Sequence, residues 1–182
     1  MNWKYLMYHH TVTSKESTVE AIRDYHTKVR GWSDIGYHFL VDYKGNIHEG
    51  RSLDRQGAHC IKYNTTAIGI AAIGNFEEHE MSPEQERGIV KLSKQLLKQF
   101  NISPQNILIH KDVDATACPG KHFPTERIKF QLQLKDKNSI EGAIDWLAKQ
   151  GVINSPEYWK IKAKNVKYLD QLFINIANKW RG

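Results

Sequence analysis

Ala67-Ile68-Gly69-Ile70-Ala71-Ala72-Ile73 carries no polar side chain at any position. A strand with one face in water alternates apolar with polar residues. A run that is apolar throughout therefore predicts a central strand, covered on both faces. Upstream, Trp3–His9 is apolar and aromatic and predicts a second strand. Val19, Ile22, His26 and Val29 recur at helical spacing behind the capping-box pair Ser17 and Glu20, which predicts a helix from about Thr18 to Arg30. His38–Val41 and Ile47–Gly50 flank Asp42-Tyr43-Lys44-Gly45-Asn46 and read as a hairpin. Downstream, Ser82-Pro83-Glu84-Gln85 combines a second capping box with proline at the first helical position, and Ile89, Leu92, Leu96 and Phe100 continue that helix. Ile107–His110 predicts a short buried strand and Thr125–Leu134 a helix. Strands interleaved with helices imply an α/β fold, a mixed β-sheet flanked by helices.

The chain has 182 residues, of which 40% are apolar and 25% charged, a composition that can bury a core and is not that of a disordered chain. No run approaches the roughly 18 apolar residues of a membrane span. Residues 1–17 show no basic segment leading into a long apolar one, so synthesis in the cytoplasm without a signal peptide is expected. Two cysteines, Cys60 and Cys118, are fewer than a disulfide-stapled framework usually carries. Lys135-Asp136-Lys137-Asn138-Ser139 is polar and aperiodic and predicts a linker. Beyond it Ile140, Ile144 and Leu147 repeat at helical spacing, Ser155-Pro156 signals a helix start, and Val166, Leu169, Leu172, Phe173, Ile176 and Trp180 mark a longer amphipathic helix. The expected organisation is one domain over 1–134 and a small C-terminal all-helical module over 139–182. Net charge is +6, and the segment from residue 135 carries most of the excess, a surface suited to polyanions. No nucleic-acid-binding motif accompanies it, and over the first 134 residues acidic side chains nearly match basic ones, so no nucleic-acid partner is expected.

Nine histidines are many for this length. His9 and His10 end the first strand, His110 ends the Ile107–His110 strand, and Cys118 follows eight residues later. Two imidazoles and a thiolate are good zinc ligands, and three protein ligands leave a tetrahedral position open, the arrangement of catalytic rather than structural sites. The same residues would serve equally as two core histidines and a buried free thiol. Cys60 has no second ligand pair nearby in sequence and reads as a small thiol rather than a ligand. His26, His38 and His48 read as packing residues, and His79 and His122 as loop surface. No His-Glu-x-x-His pattern is present, which argues against a zinc peptidase of that type.

Met7-Tyr8-His9-His10-Thr11 followed by Gly31-Trp32-Ser33-Asp34-Ile35-Gly36-Tyr37-His38-Phe39 resembles the opening of the N-acetylmuramoyl-L-alanine amidase family, which includes phage lysozyme-type amidases and animal peptidoglycan-recognition proteins. The likeness continues, over roughly residues 3–130, through Gly45, Glu49-Gly50-Arg51, Gly57-Ala58-His59, Tyr63-Asn64, Ile68-Gly69-Ile70 and His110-Lys111-Asp112-Val113…Ala117-Cys118-Pro119-Gly120. It implies a mixed sheet with a groove holding one zinc, with His9, His110 and Cys118 as ligands, Tyr37 and Thr116 as catalytic residues, and His59 as a groove residue meeting the substrate. Two departures stand out. Thr116 occupies a position where phage members tend to carry lysine, and Ala71 one where some bacterial relatives place a glutamate base.

The implied reaction is zinc-dependent hydrolysis of the amide bond between N-acetylmuramic acid and L-alanine in bacterial peptidoglycan. A compact chain with a small added module fits a phage or prophage lysis enzyme (endolysin) acting at the cell wall after release. The alternative on the same fold is a non-catalytic peptidoglycan-binding protein, although recognition proteins that have lost activity typically lack the cysteine. For the helical module, Lys160, Lys162, Lys164 and Lys167 with Tyr158, Trp159 and Tyr168 suggest binding to an anionic wall polymer. Leu169, Phe173 and Ile176 suggest a homodimer contact instead, and plain packing remains a third reading.

Overall fold

The structure, a computed structural model, describes residues 1–133 and 140–165, and residues 172, 176 and 179 singly. The chain divides into two compact units, Met1–Lys129 and Phe130–Gly182.

The first unit is built on a five-stranded sheet in the order β3-β2-β4-β1-β5. Its strands are β1 (Tyr5–His10), β2 (Phe39–Val41), β3 (Ile47–Glu49), β4 (Ala67–Ala72) and β5 (Ile107–Ile109). All neighbours run parallel except the β2–β3 hairpin, so the sheet is mixed. β4, the wholly apolar run, lies in the middle with every residue buried. The hairpin turn is closed by Asp42, whose carboxylate accepts the Lys44 and Asn46 amides at 2.9 Å each.

The two faces of β1 are covered differently, because successive side chains point opposite ways. Tyr8 reaches α2 (Pro83–Gln99) through a buried 2.7 Å hydrogen bond to Ser93. Met7, one residue earlier, instead joins a cluster with Cys60 and Ala67. Leu40 and Ala71 pack with Val19 and Ile22 of α1 (Val19–Asp24), which runs on into a π-helical turn, Tyr25–Val29.

Two start signals differ from expectation. The N-cap of α1 is Thr18, not Ser17: its hydroxyl accepts the Ala21 amide at 3.1 Å. At α2, Ser82 caps the Gln85 amide as predicted, but Gln85 does not return the bond. Its side-chain amide is drawn into the core, where it donates to the Val41 and Ile73 carbonyls. The Val41 carbonyl also accepts the Ile73 amide at 2.9 Å, so Gln85 is its second donor and bridges it to the Ile73 carbonyl.

The second unit contains α4 (Ile140–Lys149) and α5 (Pro156–Asn165), preceded by α3 (Thr125–Gln133), on which Phe130 lies. Ala143, Ile144, Trp146, Leu147 and Ala163 form a cluster against which Phe130, Ile153, Trp159 and Ile176 pack. Lys160 is held by Asp145 at 2.8 Å and Glu157 at 2.7 Å. Trp159 and Lys160 are thus engaged within the unit, whereas Tyr158 is exposed with Lys162 over its ring. The linker expected at 135–139, and Val166, Lys167, Tyr168, Leu169, Phe173 and Trp180, lie outside the described residues, as does the side chain of Lys164.

Candidate metal centre

The site is assembled at the C-terminal ends of two parallel strands, the edge at which α/β sheets bind ligands. Tyr8 of β1 pairs with Ile109 of β5, so His9, the next residue of β1 and still paired with Ala71 of β4, comes beside His110, the residue just past β5. Their ring centroids are 4.7 Å apart. His10 belongs to the opposite face, where its Nδ1 accepts the Phe76 amide at 3.2 Å. Strand alternation thus allows only one of the two adjacent histidines into the site. Cys118 is returned to the strand ends by the loop after β5, which the Lys111 amide closes on the Cys118 carbonyl at 2.8 Å. The His10 amide points at its sulfur from 3.4 Å. Ligand atoms of His9, His110 and Cys118 all lie within 4.8 Å of one another.

Hydrogen bonding settles which nitrogen His9 offers. His59 Nε2 lies 3.2 Å from the Ala67 carbonyl, which can only accept, so this nitrogen carries the proton. Burial, reinforced by His38, pushes the His59 pKa down to about 3, so the ring is neutral and its Nδ1 bare. That Nδ1 sits 3.0 Å from His9 Nε2, which must therefore donate. His9 is itself held neutral, its pKa driven well below the ordinary value first by burial and then by the neighbouring histidines. Its Nδ1 is left with a lone pair, 3.6 Å from Cys118 Sγ. The order Ala67 carbonyl, His59, His9 thus aims one nitrogen lone pair at the donor cluster, the arrangement in which an outer partner fixes the tautomer of a metal-binding histidine.

The His59 ring has a built cradle. A Cβ on Gly57 would sit 2.4 Å from its Cδ2, and one on Gly69 2.5 Å from the same atom. The Asn64 side-chain oxygen accepts the His59 and Cys60 amides at 2.8 and 2.9 Å. Both His59 ring nitrogens are hydrogen-bonded within the protein, while the residue also lines the cavity beside the donors.

Tyr37 lies against His9, ring centroids 5.3 Å apart. Burial, and secondarily Cys118, raises its phenol above the ordinary value, so it keeps its proton at neutral pH. Among the described residues none hydrogen-bonds its hydroxyl. Thr116 is exposed, and its hydroxyl oxygen accepts the Cys118 amide at 3.2 Å, which leaves the O–H proton to donate outward. Burial pushes the Cys118 thiol up to about 12, so a sulfur with no cation beside it is neutral.

Three features went unread in the sequence. Cys60, taken there for a thiol without ligand partners, comes together with His110 and Asp114, their ligand atoms within 4.8 Å of one another. The loop 57–64 makes that approach, and no spacing pattern encodes it. Arg51 is a buried staple: its guanidinium donates to the carbonyls of Ile35 at 2.8 Å, Gln56 at 3.1 Å and Asp34 at 3.0 Å, fixing the segment that carries Tyr37. A cavity of about 380 Å³ opens beside the donors, lined by Trp32, Cys60, Ile61, Asn64, His110 and Asp114 among others. A larger one of about 690 Å³, lined by residues such as Thr13, Tyr43 and His79, includes none of the three donors.

Residues 1–121 match the family described as N-acetylmuramoyl-L-alanine amidase. The chain belongs to that family. Among solved structures, the amidase LysC from Clostridium intestinale URNW is similar at 41% identity and a TM-score of 0.69, over 74% of this chain and 88% of that one. The endolysin of Thermus scotoductus MAT2119 bacteriophage Ph2119 is similar at 26% identity and a TM-score of 0.65, over 72% and 86%. Peptidoglycan-recognition protein SC1a of Drosophila melanogaster is 34% identical over 130 residues, 67% of this chain and 70% of that protein. The mixed sheet with flanking helices is the amidase fold, and peptidoglycan is the ligand class of this family. The second unit lies beyond the family match.

Proposed function

We propose that the chain is a zinc-dependent N-acetylmuramoyl-L-alanine amidase that severs the stem peptide from the sugar in bacterial peptidoglycan, working as a phage or prophage lysis enzyme. The observation that carries this reading is the convergence of His9, His110 and Cys118 at the strand ends, with ligand atoms within 4.8 Å of one another. The donors fit zinc: a neutral imidazole with its lone pair aimed inward, a second imidazole, and a sulfur that burial keeps protonated until a dication stabilises the thiolate. Zinc held there would acidify a bound water to a pKa of about 7 and polarise the scissile carbonyl. The chain's own groups do the rest. Tyr37, protonated at neutral pH and beside His9, orients the attacking water and passes a proton to the leaving L-alanine nitrogen. Thr116 offers its O–H to the developing oxyanion, with no positive charge to strengthen it. His59, at the cavity wall, acts through His9 by fixing its tautomer.

A non-catalytic peptidoglycan binder is the second reading, prompted by the recognition-protein relatives. The full donor set favours the enzyme, since binding alone needs no third ligand. The separating experiment is Cys118→Ser: loss of most bound zinc together with loss of wall lysis supports the enzyme, and full lysis without zinc rejects it. For the second unit we propose anionic wall polymer as partner, through exposed Tyr158 and Lys162 rather than Trp159 and Lys160. Salt-sensitive sedimentation with walls, weakened in the Tyr158→Ala, Lys162→Ala double variant, tests it. A homodimer lost on truncation after residue 137 would favour the interface reading instead.

A further inference from the structure

Outside the triad, one other cluster of His, Cys and carboxylate groups comes within metal-binding distance among the described residues: Cys60, His110 and Asp114. His110 belongs to both sets. The inner set is closed in, with His9 at 1% and Cys118 at 8% exposure. The outer set borders the 380 Å³ cavity, and Asp114 is exposed. His110 Nε2 stands 3.7 Å from an Asp114 carboxylate oxygen, so the imidazole already faces that carboxylate. Cys60 is held at the cavity wall by its backbone N–H, which donates to the Asn64 side-chain oxygen at 2.9 Å. Thiolate, imidazole and carboxylate from one protein wall, with open space in front, form a ligand set for a thiophilic divalent cation such as zinc or cadmium.

We propose that Cys60, His110 and Asp114 form a second, outer metal seat that shares His110 with the inner one. Binding there forms an S–metal bond at Cys60 and releases the thiol proton to solvent; with the inner seat also filled, His110 bridges the two cations as imidazolate, its ring N–H proton likewise released to solvent. The outer seat is the weaker of the two, because Asp114 is solvated and the imidazole is divided between the seats. It accepts metal that exceeds one equivalent, or metal that the inner seat cannot hold. The idea goes beyond the amidase reading and does not need catalysis.

With only two cysteines in the chain, thiolate counting is unambiguous. The metal-free full chain is titrated with cadmium, and the thiolate-to-cadmium charge-transfer band is followed. The expected wild-type curve has two steps: one thiolate with the first equivalent, and a second at roughly tenfold or more higher free cadmium. Cys60→Ser keeps only the first step. Cys118→Ser gives a one-thiolate band from Cys60, and adding Asp114→Asn, an exposed change that leaves packing intact, weakens it by about tenfold or more. If Cys118→Ser shows no thiolate band while Cys60→Ser titrates like the first wild-type step, the outer seat does not exist and the inner one stands. If Cys60→Ser shows none while Cys118→Ser does, the inner assignment fails and the outer seat survives. Two thiolates on a single equivalent would overturn the two-seat arrangement.

Discussion

Replacing His59 with alanine removes the group that fixes the tautomer of His9. Two buried groups then lose partners, the His9 Nε2–H and the Ala67 carbonyl, which His59 bridges at 3.0 and 3.2 Å. An unpaired buried polar group costs about 1–3 kcal/mol, so the fold should lose roughly 2–6 kcal/mol, less whatever water entering the vacated ring space recovers. The free His9 ring can then take either tautomer, and the form with a proton on Nδ1 cannot bind metal. Loss of an outer-layer partner of this kind typically weakens metal affinity by about 10–100-fold, or roughly 1.4–2.8 kcal/mol. His59→Gln, which keeps an acceptor and a donor on one side chain, should recover part of both. The assay is zinc affinity by chelator competition, beside the urea midpoint and the nitrogen chemical shifts of His9 in the metal-free protein. Those shifts should show a proton on Nε2 in the wild type and a mixture in His59→Ala. Unchanged zinc affinity in His59→Ala, with His9 still in a single tautomer, would refute the chain of reasoning from the Ala67 carbonyl outward.

Tyr37→Phe should keep fold and bound zinc but lose about 10²-fold or more in turnover, the scale of one acid–base group; turnover at the wild-type rate moves proton handling to another residue. Arg51→Ala strands the buried Ile35 carbonyl and two part-buried ones, of Gln56 and Asp34, so thermal unfolding should show a loss of about 1–3 kcal/mol, and a midpoint equal to wild type would deny the staple. His38 is almost fully buried, and burial brings its pKa down to about 4 from 6.5, so the unfolded chain binds the extra proton between these values. Stability from this group is whole above pH 6.5 and lost as pH falls towards 4, by about 3 kcal/mol in all. Urea midpoints from pH 7 to 4 should fall, and fall less in His38→Gln; identical slopes would remove His38 as the cause.

The central strand was legible because burial on both faces leaves a run without polar positions, and β4 is that run. The three donors were legible through the family-like order of His9, His110 and Cys118. Their proximity rests on register: only the pairing of Tyr8 with Ile109 sets His9 beside His110, and no residue pattern states a register between strands a hundred positions apart. The α1 cap was misplaced by one residue because Ser17 and Thr18 are both competent caps, and tertiary packing of Val19 and Ile22 decides between them. Gln85 matched a capping box, yet its side-chain amide goes instead to the Val41 and Ile73 carbonyls in the core. His59 matched a groove motif, but what it touches depends on the space left by Gly57 and Gly69. Cys60 became a ligand candidate only once the loop 57–64 had folded over His110.

The central claim is the bond that is cut, and one digestion tests it. Purified peptidoglycan is treated with the zinc-loaded chain and the products are identified by mass spectrometry. Amidase action predicts stem peptides with free L-alanine amino termini, glycan strands without new reducing ends, and no products in Cys118→Ser. New reducing sugars, cleavage within the peptide, or intact peptidoglycan under zinc-loaded conditions would contradict the account.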